Sequence, residues 1–117
     1  YCAELKNGSI NEFSIMPSDI DLPLASISEI IGGEPEENAK KILELFNGKK
    51  NAFRNVVILN TASALVATGN ASNLEEAASM SIKSLDEGQA LLKLEKLIEL
   101  TNAWGTKSLW QLNYKKL

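Results

Sequence analysis

Residues 54–69 read RNVVILNTASALVATG, and this stretch decides how the rest of the chain is arranged. Val56, Val57, Ile58 and Leu59 form an unbroken apolar run, and Ala62, Ala64 and Ala67 follow before Gly69. A helix that is apolar nearly all round is expected to be buried on more than one side. The small alanines let neighbouring backbones come close, and Gly69 supplies the left-handed residue that ends the helix. Asn60 and Ser63 are the polar exceptions within it. The stretch therefore predicts a central core helix that the surrounding elements cover.

The chain around it has the bulk properties of one domain. Its 117 residues are 44% hydrophobic and 23% charged, with a formal net charge of −3. That balance carries no electrostatic footprint for nucleic acid or an anionic membrane. No apolar run approaches the roughly 20 residues that span a bilayer. Cys2 is the only cysteine, so an internal disulfide is excluded and a reducing, cytoplasmic compartment is expected. Histidine, the commonest general base and metal ligand, is missing altogether. Tyr1 opens directly into a strand pattern, as expected of a segment of something longer.

Residues 1–16 predict a β-hairpin around Asn7-Gly8. A three-residue loop, Lys6 to Gly8, pairs Tyr1 with Phe13 and Leu5 with Ser9. That register gathers Tyr1, Ala3, Leu5, Phe13 and Ile15 on one face, with Ile10 out of place, and it is preferred over a two-residue loop because one buried face would fix it. An isolated hairpin is marginal in water, so these strands are expected to belong to a larger sheet.

Pro17 ends the second strand, and a short helix is expected from about Leu24 to Ile31, before Gly32-Gly33. Pro35 suits the first position of the next helix. Glu36 and Glu37 fall in its positive first turn. Ala39, Ile42, Leu43 and Phe46 form its apolar stripe, and Gly48 closes it. After the core helix, Ser72 and Glu75 suggest a capping box. The helix it starts carries Leu74, Ala77, Ala78, Ser81 and Leu85 on one side. Gly88 interrupts, and a last helix sets Leu91, Leu94, Leu97 and Ile98 on one face.

Few residues offer chemistry. Gly32-Gly33 before a helix suggests a phosphate loop, but the fingerprint spacing is absent and Glu34, Glu36 and Glu37 would repel phosphate; a helix stop is the plainer account. Lys49, Lys50 and Arg54 suggest an anion site at a helix start, against a solvated basic loop. Glu36-Glu37 and Asp86-Glu87 suggest magnesium ligands, but adjacent helical residues diverge. Asn60, if buried, would either read a substrate or satisfy a neighbouring backbone group. Cys2 lacks a basic partner that would make it a nucleophile. Trp104 and Trp110 suggest a stacking surface or, more plainly, cover for the core. No constellation among these runs a reaction.

Four segments carry a resemblance: AELKNGSINEFSIMPSDIDL, GGEPEENAKKILELFNGKK, RNVVILNTASALVATGNASNLEEA and SLDEGQALLKLEKLIEL, in this order. Together they resemble the C-terminal part of the anthranilate phosphoribosyltransferases, over roughly residues 1–100. The resemblance implies an α/β fold: a β-hairpin followed by about five helices, forming the C-terminal portion (residues 1–102) of a nucleoside phosphorylase/phosphoribosyltransferase-like domain. Residues 103–117 stay unassigned. It also implies transfer of a phosphoribosyl group from phosphoribosyl pyrophosphate to anthranilate in tryptophan biosynthesis, with Mg²⁺, by a homodimer.

The family's pyrophosphate loop, anthranilate contacts and magnesium-binding Asp-Glu pair lie upstream of the matched part. No catalytic, substrate-binding or metal residue is therefore assigned to this chain, and it is expected to be a scaffold, inactive alone, whose partner is the remainder of the enzyme. Asp21 departs from the family pattern by standing where glycine is usual. Glu34 stands where aspartate often caps the helix. The alternative expectation is a stand-alone, non-catalytic binding module using the hairpin edge or the Trp-bearing tail.

Overall fold

The computed structural model describes residues 1–102. Two strands come first, β1 (Cys2–Lys6) and β2 (Ser9–Phe13). Single turns of 3₁₀ helix follow at Pro17–Ile20 and Ile27–Glu29. Four helices complete the order: α1 (Pro35–Phe46), α2 (Ala52–Ala67), α3 (Leu74–Asp86) and α4 (Gln89–Asn102). The mixed α/β class and the leading hairpin match expectation. The fifth helix, expected over 24–31, is only the 3₁₀ turn at Ile27–Glu29, and a second turn at Pro17–Ile20 was not anticipated.

The hairpin register differs from the expected one. Cys2 pairs with Phe13, Leu5 with Ile10 and Lys6 with Ser9, which leaves a two-residue loop. Asn7 (φ 52°) and Gly8 (φ 78°) both take the left-handed conformation. This is the backbone of the tight turn whose twist matches that of the strands. Leu5 and Ile10 now share one face, while Phe13 joins Cys2 on the other, and Ile15 lies beyond the strand. The expected register assumed that one face is buried. Every residue of β2 and all of β1 but half-buried Cys2 are exposed, so the turn sets the pairing instead.

The core lies in the helical part. Among the described elements, α2 and α3 pack on each other most extensively. Ile58 and Ala62 of α2 cluster with Ala77, Ala78 and Leu85 of α3, with Ile20, Leu45 and Ala71 closing the cluster, and Ser81 of α3 is also buried. α3 buries the residues its pattern marks, Leu74 being half-buried. α2 is central but not enclosed: Arg54, Ile58 and Ala62 form its buried line, whereas Ala64 and Ala67 are exposed. α1 turns Leu45 to the core, and its expected stripe of Ala39, Ile42, Leu43 and Phe46 is only half-buried. Leu91, Leu94 and Ile98 of α4 are half-buried, but Leu97 remains 58% exposed.

Local signals place the helix ends. Pro35 is the first residue of α1, and Gly48, Gly69 and Gly88 all have positive φ just past helix ends. The cap of α3 is one residue later than expected: the Asn73 side chain accepts from the Glu76 N–H at 2.9 Å, and the Ser72 N–H donates to the Glu76 carboxylate at 2.8 Å. Asp21 has φ 56° at the end of the first 3₁₀ turn. Glycine adopts that left-handed conformation freely, and aspartate is among the side chains that tolerate it.

Candidate functional site

The Gly32-Gly33 loop is closed by its own helix. The Gly33 N–H donates to Asn38 Oδ1 at 2.9 Å, and Asn38 Nδ2 donates to the Gly33 carbonyl at 2.7 Å. The Glu34 N–H donates to Glu37 Oε2 at 3.3 Å, and Lys41 Nζ donates to the Ile31 carbonyl at 2.8 Å. A phosphate loop needs free N–H groups converging on one point. Here a carboxylate and an amide already occupy those donors. A methyl group at Gly33 would run into the Glu37 carboxylate, so that glycine makes room for a cap. Glu34 is the N-cap of α1, and the Glu37 side chain reaches back to its N–H.

Lys49, Lys50 and Arg54 do not form one basic site. Lys49 bonds Glu44 at 2.8 Å, while Arg54 turns inward and donates through Nη2 to Asp86 Oδ1 at 2.7 Å. The Arg54 side chain is 5% exposed and that of Asp86 46%. This pair joins the first turn of α2 to the last residue of α3, 32 positions away. The N–H groups at the start of α2 are partly satisfied by Asn51, whose side chain accepts from the Arg54 N–H at 2.9 Å. Arg54 Nη1 is buried with no hydrogen-bond partner among the described residues. Sequence reasoning missed this ion pair, since a contact across 32 residues leaves no local signal.

The acidic pairs also separate. Glu36 and Glu37 sit in the first turn of α1, with Glu37 on the Glu34 N–H. Asp86 faces Arg54, and Glu87 lies 3.9 Å from Lys83. Among the described residues no three carboxylates or thiols converge as metal ligands.

Asn60 is exposed rather than buried, and its Nδ2 donates to the Val56 carbonyl one turn back at 2.8 Å. The backbone role holds; the burial does not. Cys2 is a half-buried free thiol. Trp104 and Trp110 lie outside the described residues. No helix among the described residues is long and apolar enough to cross a membrane.

Two glutamates titrate below the ordinary range. Glu29 is lowered by the Ser26 backbone N–H and hydroxyl, at 2.8 and 2.9 Å. Glu44 is lowered by its hydrogen bond from Lys49. Each is depressed in the folded state, so its contribution is present above the unfolded pKa and is lost as pH falls through the folded one. Both serve local structure, at a 3₁₀ turn and at the end of α1.

An open groove of about 180 Å³ lies between the 17–30 segment and the first half of α2. Pro17, Leu24, Ile30, Val56 and Leu59 give it apolar walls, and Asn55 is its polar side chain. Its lining among the described residues holds no acid, base or nucleophile, and its walls suit an apolar surface.

The chain is 47% identical over 100 residues to an anthranilate phosphoribosyltransferase of Parvibaculum lavamentivorans, covering 86% of this chain and 29% of that protein. It is 42% identical over 100 residues to those of Brucella ovis and Brucella canis, covering 86% of this chain and 30% of each. It thus spans less than a third of the length of these relatives. No solved structure matches it. Residues 1–91 match the α/β-domain model of a glycosyl transferase family, and the chain belongs to that family.

Proposed function

We propose that this chain is the C-terminal structural portion of an anthranilate phosphoribosyltransferase. The complete enzyme transfers the phosphoribosyl group of phosphoribosyl pyrophosphate to anthranilate, in the cytoplasm, for tryptophan biosynthesis. The observation that carries the reading is the 47% identity to a protein of that name, confined to 29% of its length. Under this reading the magnesium ligands, the pyrophosphate loop and the homodimer contacts belong to the remainder of the enzyme. The segment contributes a rigid α2–α3 body and a hairpin that joins a wider sheet. Catalytic loops depend on such a body for their positions. The 117-residue chain alone is inactive.

Complementation in trans tests the proposal. The chain is co-expressed with the N-terminal two-thirds of the Parvibaculum enzyme, and phosphoribosyl transfer to anthranilate is assayed with each piece alone as control. Activity confined to the mixture supports a structural completion of the transferase. A silent mixture in which both pieces are folded and soluble favours a stand-alone binding module instead. Turnover by the chain alone overturns the scaffold reading.

A further inference from the structure

The chain holds two Asn-Gly steps, Asn7-Gly8 and Asn47-Gly48. Both asparagines are exposed, both glycines have positive φ, and neither glycine has anything within 4 Å of where a Cβ would stand. What separates the two steps is the peptide that joins each pair. At the end of α1 the Gly48 N–H donates to the Leu45 carbonyl at 3.0 Å. The Asn47 N–H donates to Leu43 at 2.9 Å and the Lys49 N–H to Glu44 at 3.0 Å. In the hairpin, pairing closes at Lys6 and Ser9. The Gly8 N–H and the Asn7 side chain have no hydrogen-bond partner among the described residues.

From this we infer that Asn7 is a site of spontaneous modification, losing its side-chain amide by attack of the Gly8 backbone, and that Asn47 is protected from the same reaction. The Gly8 nitrogen attacks Asn7 Cγ, forming a C–N bond that closes a cyclic imide. The bond from Cγ to Nδ2 breaks, and Nδ2 leaves as ammonia with the proton that Gly8 gives up. Water then opens the imide at either carbonyl. The product is aspartate or isoaspartate at position 7, with one more negative charge, and solvent water is the only co-reactant.

The ring closes when the asparagine ψ brings the next nitrogen beside Cβ, which requires a ψ of about −120° and so a turned-over peptide. Turning over the Asn7-Gly8 peptide converts a turn with both central φ positive into its relative with a first central ψ of about −120°. Both turns close two-residue hairpins, so the excursion leaves the Lys6–Ser9 pair in place. Gly8, having no Cβ, leaves its nitrogen open to the approach. The same rotation at Asn47 breaks the bond from Gly48 to Leu45 and disturbs the turn that ends α1.

Isoaspartate routes the main chain through the former side chain and adds a backbone atom to the loop. The turn sets the pairing of these almost wholly exposed strands, so this product releases the hairpin and leaves the α2–α3 body intact. The site depends on residues 6–9 of this chain and does not rest on the transferase reading.

Incubation of the 117-residue chain in mildly alkaline buffer, folded and in urea, tests the site by peptide mass mapping, with enzymatic methylation of isoaspartate as a second readout. In the folded chain Asn7 converts at least about tenfold faster than Asn47, because α1 must open locally before Asn47 can react. In urea the two rates agree to within about twofold, since only the shared Asn-Gly sequence remains. Asn7→Gln, whose longer side chain would have to close a larger ring, shows no conversion at position 7 over the same period. Equal rates at the two sites in the folded chain overturn the proposal. So does an Asn7 that stays intact in the folded chain, whether or not it reacts in urea.

Discussion

Ile58 and Ile10 are the same side chain in opposite circumstances: 2% exposed in α2 and 70% exposed in β2. The difference is not one of hydrophobicity but of what faces each residue. Ile58 meets a second helix whose small side chains, Ala77, Ala78 and Ser81, let two backbones come close. Ile10 meets only its cross-strand neighbour Leu5, because nothing among the described residues covers either face of the hairpin. Apolar residues are also exposed in the segment after it, with Leu24 at 70% and Ile27 at 78%. One part of the chain has completed its burial internally, and the other presents an apolar surface. This split is what the proposed scaffold role within a larger α/β domain predicts.

The sharpest test of the split is in α2. Ile58→Ala removes a side chain packed against α3, and about 2–4 kcal/mol of unfolding free energy should go with it. Urea unfolding followed by helical circular dichroism measures this directly. A loss below about 1 kcal/mol would mean that α2 and α3 are not the cooperative centre of the chain.

A second test asks what the Arg54–Asp86 pair does at the edge of that core. The two partners are unequal: the arginine is buried and the aspartate is half in solvent. Removing Asp86 leaves a desolvated guanidinium without its counter-charge, while removing Arg54 leaves a carboxylate that water can reach. Asp86→Ala should therefore cost about 1–3 kcal/mol, reduced from the fully buried case by the exposure of the carboxylate. Arg54→Met should cost less, since it also removes Nη1, which is buried without a partner. The order of the two variants in urea midpoint is the readout. If Arg54→Met proves the worse, the guanidinium is stabilised by packing along its stem and not by its charge pairing.

How much of this was legible follows from the range of each signal. Pro35, Gly48, Gly69 and Gly88 mark helix ends through local backbone chemistry, and each stands where its helix starts or stops. The buried face of α3 was readable because Ala77, Ala78, Ser81 and Leu85 repeat at helical spacing. The hairpin turn was readable at Asn7-Gly8, but its register was not, because a buried face was assumed where the structure has none. Arg54 was legible only as a cation near a helix start, and its partner, 32 residues on, depends on how α3 packs. The Gly32-Gly33 loop offered two meanings, and the Asn38 side chain, five residues beyond Gly33, decides between them. Interactions within one turn were visible, and those made by packing were not.

The smallest expected effect is the one that completes the comparison. Ile10→Ala and Leu5→Ala remove apolar atoms as Ile58→Ala does, yet both side chains already stand mostly in water. In the monomer, measured at low concentration, each should change the unfolding free energy by less than about 0.5 kcal/mol. That null result has content only beside the Ile58 value, because together they show that burial, not residue type, sets the cost. The same two variants should lower the yield of active complex in the complementation assay, where the hairpin joins its wider sheet. An Ile10→Ala loss comparable to that of Ile58→Ala in the monomer would mean that the hairpin is covered within the chain itself. The exposed apolar surface that the scaffold reading relies on would then not exist.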